Sequence, residues 1–440
     1  MLSNQAVRCA PGAQPCPHCG QPARRQRLLR RRLRSLAYRR EAFLDVHYAE
    51  YRCRSCRKSF RNWPLDVPPR SAYCPLVRRA VLDRLLGDGL NVERTRAALR
   101  RDFLLELSAG FVYDCLDWQL RRLELPERRR RVLEGFSGTL CIDELHLGRH
   151  ALLLATDPLA DEVVGFALVG DNDLAHLRRF LIMLRAHGFL PEAVITDGSN
   201  LYPPALAEVW PRAAHQLCVF HVLKGVNEKV LDAVRRLRRR MARRGNAGRR
   251  GKPGRPRKGA KRRGRRASEG PTAKQKAAFL FKRRYLIVKR AEGLDERERA
   301  DLGRMFEYLP ELRTLWVFSQ SVYRAWGTKQ SLKVARWRWA RLRNKPEYQA
   351  VPELARALEG LGKGKLEKTL AFLALPAEQR QKTNNHVERM NRRLRFDEKV
   401  RYRWRSRQSI VRWVLLRVSR HTPRPKGRCP QPPPAREPGG

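Results

Sequence analysis

Four cysteines near the N-terminus form two Cys-x-x-Cys pairs, Cys16 with Cys19 in CPHC and Cys53 with Cys56 in CRSC. Four thiolates at such spacings can surround one Zn²⁺ tetrahedrally. The strand-like segment DVHYAEYRCRSC leads into the second pair, and SFRNWP follows it. We therefore predict a zinc ribbon over residues 1–66. The alternative is two redox-active or incidental cysteine pairs.

Two aspartates occupy positions where a carboxylate is costly. Asp143 interrupts the apolar run GTLCIDELHLG, and Asp197 ends the segment EAVITD directly before Gly-Ser. Burying an unpaired carboxylate destabilises a fold by several kcal/mol. A divalent cation such as Mg²⁺, which prefers oxygen ligands, would offset this cost. The alternative for Asp143 is an edge carboxylate that faces solvent or pairs with an arginine.

A third acid, Glu388, lies in the helical segment TNNHVERMNRR, where it shares one face with Asn384 and Asn391. We expect this helix to cross the sheet that carries Asp143 and Asp197. Three carboxylates there would hold Mg²⁺ or Mn²⁺, and two such ions about 3.5–4 Å apart can activate an attacking oxygen and stabilise a leaving one.

The sequence also gives predictions for four other polar residues, Glu144, His146, His150 and His221. Alternation along a strand predicts that Glu144 faces away from Asp143. We predict that His221 faces the active site and contacts a scissile phosphate or orients a catalytic group. A buried hydrogen bond that fixes the helix start is the alternative for His221. His146 and His150 are expected to be polar surface residues.

The segment that carries the aspartates has the pattern of a mixed α/β domain. Within residues 138–230, three consecutive strands are followed by alternating helices and strands, which is the layout of the ribonuclease-H-like fold. We assign residues 135–232 to the first part of a ribonuclease-H-like catalytic domain. Residues 379–424, with Glu388, form its second part, and a helical insertion over 273–378 interrupts it.

Three short helices predicted between residues 72 and 123 suggest a helix-turn-helix domain over residues 67–130. Its candidate recognition helix is Gly110–Arg121. A small helical bundle without a DNA-reading role is the alternative.

The chain carries a formal net charge of +52, which implies a polyanionic partner, with double-stranded DNA foremost. Arg235–Arg266 has no acid and much glycine, so residues 233–272 are predicted to be a disordered basic tract. Its Gly254-Arg255-Pro256 matches a minor-groove hook, although a general phosphate-binding tether is the simpler reading. Residues 425–440 are a Pro-rich tail. We see no signal peptide or membrane segment, and expect a cytoplasmic, nucleoid-associated protein.

Six motifs together resemble the DDE transposases of bacterial insertion sequences, in the ISL-three-type group with an N-terminal zinc-binding domain. The motifs are CPHC, CRSC, CIDE, VITDGSNLYPPAL, CVFHVLK and NNHVERMNRRLR. The resemblance implies a catalytic triad of Asp143, Asp197 and Glu388. It also implies a Cys-x-x-His motif, matched by Cys218 and His221.

The same resemblance implies metal-dependent cleavage of DNA at the ends of an insertion sequence and transfer of the cut strand into target DNA. A homodimer or higher oligomer is expected in the DNA complex. An all-helical insertion is implied over residues 222–380. The Arg-Gly-Pro-rich tract within these residues differs from a compact helical insertion. Two alternatives stay open: a nuclease or Holliday-junction resolvase on the same fold, and a non-catalytic or domesticated DNA-binding regulator.

Overall fold

The computed structural model describes residues 5–9, 12–63, 67, 70–247, 270–401, 404 and 406–420. The chain is a mixed α/β protein that divides into two compact units. The described residues of the first unit come from Met1–Arg130, His146–His150 and Asn391–Thr422, and those of the second from Arg131–Leu145 and Ala151–Met390.

The first unit begins with a small sheet built around one buried strand. Its strands are β1 (Gln5–Arg8), β2 (Gln14–Pro15), β3 (Pro22–Arg34), β4 (Phe43–Cys53) and β5 (Ser59–Arg61). They lie in the order β1-β4-β3-β2, and β5 also pairs with β4. Strand β3 exposes most of its arginines, whereas β4 buries Val46, Ala49 and Tyr51. Cys53 ends β4, and Cys16 directly follows β2.

Helices follow the sheet, as predicted for residues 72–123. They are α1 (Pro75–Leu82), which continues into a π-helical turn over Asp83–Gly87, then α2 (Val92–Phe103), α3 (Ala109–Arg121) and α4 (Leu125–Glu134). The side chains of Asn91 and Ser108 accept hydrogen bonds from the first turns of α2 and α3 and so begin these helices. The candidate recognition helix Gly110–Arg121 lies within α3.

The second unit contains a five-stranded sheet in the order β10-β9-β6-β7-β8. Its strands are β6 (Thr139–Leu147), β7 (His150–Asp157), β8 (Glu162–Val169), β9 (Ala193–Thr196) and β10 (Ala214–Leu217). Strand β9 pairs in parallel with β6 and β10, and β7 pairs antiparallel with β8. The helices that alternate with these strands are α5 (Leu174–Ala186), α6 (Tyr202–Val209) and α7 (Val219–Ala247). The mixed sheet predicted from the sequence is thus confirmed.

A helical segment follows α7 in the second unit. It comprises α8 (Ala273–Arg283), α9 (Glu296–Tyr308), α10 (Leu312–Ala325), α11 (Leu332–Arg343), α12 (Pro346–Gln349), α13 (Pro352–Glu359) and α14 (Lys363–Leu370). Short 3₁₀ turns connect several of them, at Arg284–Val288, Ala291–Gly293, Ala371–Ala374 and Ala377–Gln379. Its core includes Phe318, Trp326 and Trp339, which are fully buried.

The basic tract begins differently from the prediction. Helix α7 extends to Ala247, so the tract is helical over residues 235–247 rather than disordered. Val230, Val234 and Leu237 of α7 enter the core, and Arg236 pairs with the buried Glu353 at 2.7 Å. Apolar burial and this ion pair offset the charge repulsion along the helix. Residues 248–269, with Gly254-Arg255-Pro256, lie outside the described part of the chain.

Two helices end the described chain, α15 (Asn385–Val400) and α16 (Arg407–Ser419). The sequence predicted residues 379–424 to be one part of the catalytic domain. In the structure, the residues up to Met390 belong to the second unit, and those from Asn391 onward belong to the first. The Pro-rich tail lies outside the described residues. Among the helices that the structure describes, none is both long and apolar enough to cross a membrane.

Candidate metal centres

The four predicted zinc ligands lie together. The Sγ atoms of Cys16, Cys19, Cys53 and Cys56 are all within 4.8 Å of one another. Two of the distances, Cys16 to Cys56 and Cys19 to Cys53, are 3.5 Å. A tetrahedron with zinc–sulfur bonds of about 2.3 Å has edges of about 3.8 Å, so these residues fit a Zn²⁺ ion.

Backbone groups shape this cysteine cluster. Each cysteine pair brackets a turn, and the amide of Gly20 donates to the carbonyl of Cys16 at 2.8 Å, with Gly20 in the left-handed region. The amide of Cys56 donates to Sγ of Cys53, and this hydrogen bond is the largest of the causes that lower the pKa of Cys53 to about 7. A thiol with a lowered pKa gives up its proton more readily to a metal.

A second group of ligand atoms lies at the sheet of the second unit. Carboxylate oxygens of Asp143, Glu144 and Asp197 are within 4.8 Å of one another, and all three residues are half-buried. The amide of Ser199 donates to Oδ1 of Asp197 at 2.9 Å, which fixes this carboxylate after the end of β9. Three carboxylates this close repel each other, and an oxygen-preferring divalent cation relieves that repulsion.

The prediction that Glu144 faces away from Asp143 is wrong, because the carboxylate of Glu144 lies beside that of Asp143. Both residues are within β6, and a contact from α6 holds the Glu144 carboxylate. The hydroxyl of the buried Tyr202 donates to Oε2 of Glu144 at 2.9 Å. Burial, followed by the charge of Glu144, raises the pKa of Tyr202 well above its usual value, so this hydroxyl stays a donor.

Glu388 lies in the first turn of α15, close to a histidine and a cysteine. Its ligand atom is within 4.8 Å of those of Cys218 and His221, and its Oε1 is 3.9 Å from Nδ1 of His221. That Oε1 atom is buried and has no hydrogen-bond partner among the described residues. Buried polar atoms are normally satisfied, so this oxygen is a fitting metal ligand.

Asp143 and Glu388 both act electrostatically on one buried thiol, that of Cys141. Burial is the largest cause of the strongly raised pKa of Cys141, and the charges of both Asp143 and Glu388 raise it further. The two carboxylates therefore lie within electrostatic range of the same sulfur. The ligand atom of Glu388 nevertheless groups with those of Cys218 and His221, and the group of carboxylates made by Asp143, Glu144 and Asp197 does not include it.

Hydrogen bonds hold the start of α15 against β6. The side-chain amide of the buried Asn384 donates to the carbonyl of Ile142 at 3.0 Å, next to Asp143. The Asn384 backbone amide donates to Sγ of Cys218 at 3.2 Å. In addition, Nε2 of His386 lies 2.7 Å from Oδ1 of Asp161. Sequence reasoning placed Asn384 on the face of Glu388 but missed its positioning contacts and those of His386, whose partners are far away along the chain.

His221 lies in the first turn of α7 with its side chain 40% exposed. Its hydrogen bond with Cys218 is the largest cause that raises its pKa, to about 9. The charges of Glu388 and Asp197 also raise it, whereas burial opposes the shift. His221 is therefore a cation at neutral pH. Of the two histidines predicted to be polar surface residues, His146 is exposed, as expected, and His150 is half-buried.

The candidate residues of the sheet site lie within the part of the chain that matches a known protein family. The model of the ISL-three-type DDE family, described as "Transposase", matches residues 140–409, which is more than half of the chain. The match includes Asp143, Asp197, His221 and Glu388. No curated protein matches the chain.

Proposed function

The chain belongs to the DDE transposases of the ISL-three type, and we propose that it cuts DNA at the ends of an insertion sequence and joins the freed 3′ end to target DNA. The observation that carries this proposal is the cluster of Asp143, Glu144 and Asp197, with the unpartnered oxygen of Glu388 nearby. Carboxylates in this arrangement suit metal-assisted phosphoryl transfer.

The proposed catalytic domain is ribonuclease-H-like. Its support is the strand order, in which the three consecutive strands β6, β7 and β8 are neighbours. Strands β9 and β10 continue the sheet on the other side of β6, in parallel. This order places Asp143 on the strand adjacent to the one that Asp197 follows, which is why their carboxylates meet.

In the proposed site Asp143, Asp197 and Glu388 hold Mg²⁺ or Mn²⁺. Bound there, the metal would lower the pKa of an attacking water and neutralise charge on the reacting phosphate. Glu144 is held by Tyr202 and adds a carboxylate beside those of Asp143 and Asp197. The cationic His221 lies beside Glu388, where it can contact a phosphate oxygen of the DNA.

We further propose that the first unit recognises the transposon end. The cysteine cluster would hold Zn²⁺ and fix the sheet whose strand β3 presents many exposed arginines. Helix α3 is the proposed recognition helix, and the exposed arginines of β3 would supply contacts to phosphates. The basic tract would add sequence-independent affinity, and a dimer or higher oligomer would bring two ends together.

The test is a strand-cleavage and strand-transfer assay with DNA that carries the transposon end. Asp143→Asn, Asp197→Asn and Glu388→Gln should each abolish cleavage in Mg²⁺ or Mn²⁺ while thermal stability and DNA binding persist. Glu208→Gln is the matched control, since this acid is exposed on α6 and pairs with Arg178.

The assay also separates the alternatives. Cleavage without joining would favour a nuclease or resolvase. Specific binding without any cleavage would favour a regulator. Normal cleavage by Asp143→Asn would contradict the proposed active site.

A further inference from the structure

Two adjoining cavities open on the helical segment of the second unit, beside α10 and α11. Their volumes are about 560 and 820 Å³, and both are lined by Val317, Arg324 and Arg338. The two cavities share these three residues, and we call them together the recess. Each cavity is large enough for a nucleotide-sized group.

The recess is strongly basic. The larger cavity is lined by Arg324, Arg338, Arg341 and Lys345, and no acidic residue lines it. The smaller cavity has one acid, Glu292, among four basic residues. Among the described residues, no carboxylate lies within ion-pair distance of Arg324, Arg338 or Arg341, so their charges are available to an anion. Arg338 is already oriented, because its Nη1 donates to the carbonyl of Arg324 and to Oε1 of Gln330, at 3.1 and 2.7 Å.

An exposed tryptophan borders the same recess. Trp337 is 56% exposed, whereas Trp326 and Trp339 are buried in the core of the segment. The guanidinium of Arg341, one helical turn further along α11, lies 4.9 Å from the centroid of the Trp337 ring. An indole left in solvent among unpaired arginines offers an aromatic face next to phosphate-binding cations, which is the combination that binds unpaired nucleotides.

We propose that this face, made of Arg324, Trp337, Arg338 and Arg341, binds DNA that carries an unpaired nucleotide. The phosphates lie against the arginines, and the unpaired base stacks on Trp337. Arg324 and Arg341 are exposed, so they meet the DNA backbone, while Arg338 is half-buried in the lining of the recess. The binding needs no catalysis and goes beyond the proposed cleavage site.

The experiment compares two probes on the full chain without divalent metal: a blunt duplex, and the same duplex with a single-stranded thymidine overhang. Trp337→Ala should weaken binding of the overhang probe about tenfold, because stacking on an aromatic side chain stabilises each base to about this degree. Binding of the blunt duplex should be unchanged. Trp337→Phe should keep most of the overhang preference, because phenylalanine also stacks.

The contribution of the arginines to DNA affinity is measured from the salt dependence of binding. Arg324→Gln and Arg341→Gln should each reduce the slope of log affinity against log salt by about one for the overhang probe. The matched control is Arg336→Gln, also on α11, whose guanidinium pairs with Glu367 at 2.7 Å. This variant should leave the slope nearly unchanged.

Three results would overturn the proposal: equal loss on both probes in Trp337→Ala, no loss on either probe, or an Arg336→Gln slope that matches that of Arg341→Gln. Failure of the proposed transposase activity would appear as absent cleavage in metal, with the probe difference still measurable. The two failures are therefore distinguishable.

Discussion

Nδ1 of His221 on α7 lies 3.9 Å from Oε1 of Glu388 on α15, an atom with no hydrogen-bond partner in the described chain. The histidine is cationic at neutral pH because Cys218, Glu388 and Asp197 together raise its pKa to about 9. A cation beside a proposed metal ligand is suited to hold a DNA phosphate.

His221→Gln should therefore lower the cleavage rate about 100-fold, within the range for loss of a positioned acid, base or charge. Its melting temperature should change little, because the side chain is 40% exposed. Single-turnover cleavage and thermal melting measure the two effects.

His176→Gln is the control, since this histidine lies at the start of α5 and pairs with Asp173. It should cut normally. If His221→Gln melts early and its residual folded fraction cuts at the normal rate, His221 only fixes the start of α7.

Glu144 is expected to take part in metal binding, because its carboxylate lies with those of Asp143 and Asp197. Glu144→Gln keeps an acceptor for the Tyr202 hydroxyl but removes one negative charge. The Mg²⁺ concentration that gives half-maximal cleavage should rise about tenfold.

Tyr202→Phe tests the hydrogen bond to Glu144 separately from the charge of Glu144. It removes the hydrogen bond to Glu144 and leaves the carboxylate, so a smaller shift in the Mg²⁺ requirement is expected. An unchanged requirement in Glu144→Gln would mean that Glu144 does not contribute to the metal site.

The purified protein should contain about one zinc per chain, because four cysteines make one closed tetrahedral site. The double variant Cys16→Ser, Cys53→Ser should contain none and should bind the transposon end more weakly. Metal analysis and a binding assay measure both effects. Cys9→Ser is the control, since Cys9 is outside the four-cysteine cluster. Full zinc occupancy in the double variant would exclude this cluster as the zinc site.

Asp397 is fully buried in the first unit, where it accepts hydrogen bonds from Arg417 at 2.6 and 2.8 Å and from Trp413 at 3.0 Å. Asp397→Ala would leave the charge of Arg417 uncompensated, which costs about 3–5 kcal/mol in the free energy of unfolding. Hydrogen exchange should show lost protection in α16 and α1. The exposed Lys399→Ala should change neither. Full protection in Asp397→Ala would show that the ion pair does not stabilise this unit.

Residue types with strict spacing requirements were the most predictable. The sequence located the four cysteines and the strands that carry Asp143 and precede Asp197, since ligand spacing and apolar runs are local properties. The position of the Glu144 carboxylate was not predictable from strand alternation, because Tyr202, 58 positions further along the chain, donates a hydrogen bond to it.

Long-range contacts account for the other differences. Arg236 belongs to a helix partly because Glu353 pairs with it from 117 positions away. Helical periodicity also could not distinguish the exposed Trp337 from the buried Trp339, two positions along α11. Composition describes the charge of a segment but not the partners that reach it in the fold.

His215 makes the second unit sensitive to mild acid. It lies on β10 with Nε2 2.9 Å from Oγ1 of Thr196, and burial, with the nearby charge of Lys368, lowers its pKa to about 4. Unfolded, its pKa returns to about 6.5, so below that pH the unfolded chain binds the proton more readily than the folded one. Stability from the neutral histidine is therefore complete above about pH 6.5 and falls as the pH drops towards 4.

His215→Gln removes this titration and keeps a hydrogen-bonding group opposite Thr196. Between pH 8 and pH 5 the wild type should lose about 2 kcal/mol more in free energy of unfolding than the variant. Thermal melting of both proteins across this range measures the difference. His176→Gln, at a half-buried position on α5, should follow the wild type. If the free energy of unfolding depends on pH in the same way for wild type and His215→Gln, His215 binds a proton as readily in the folded protein as in the unfolded chain. Its burial would then not cause the loss of stability in acid.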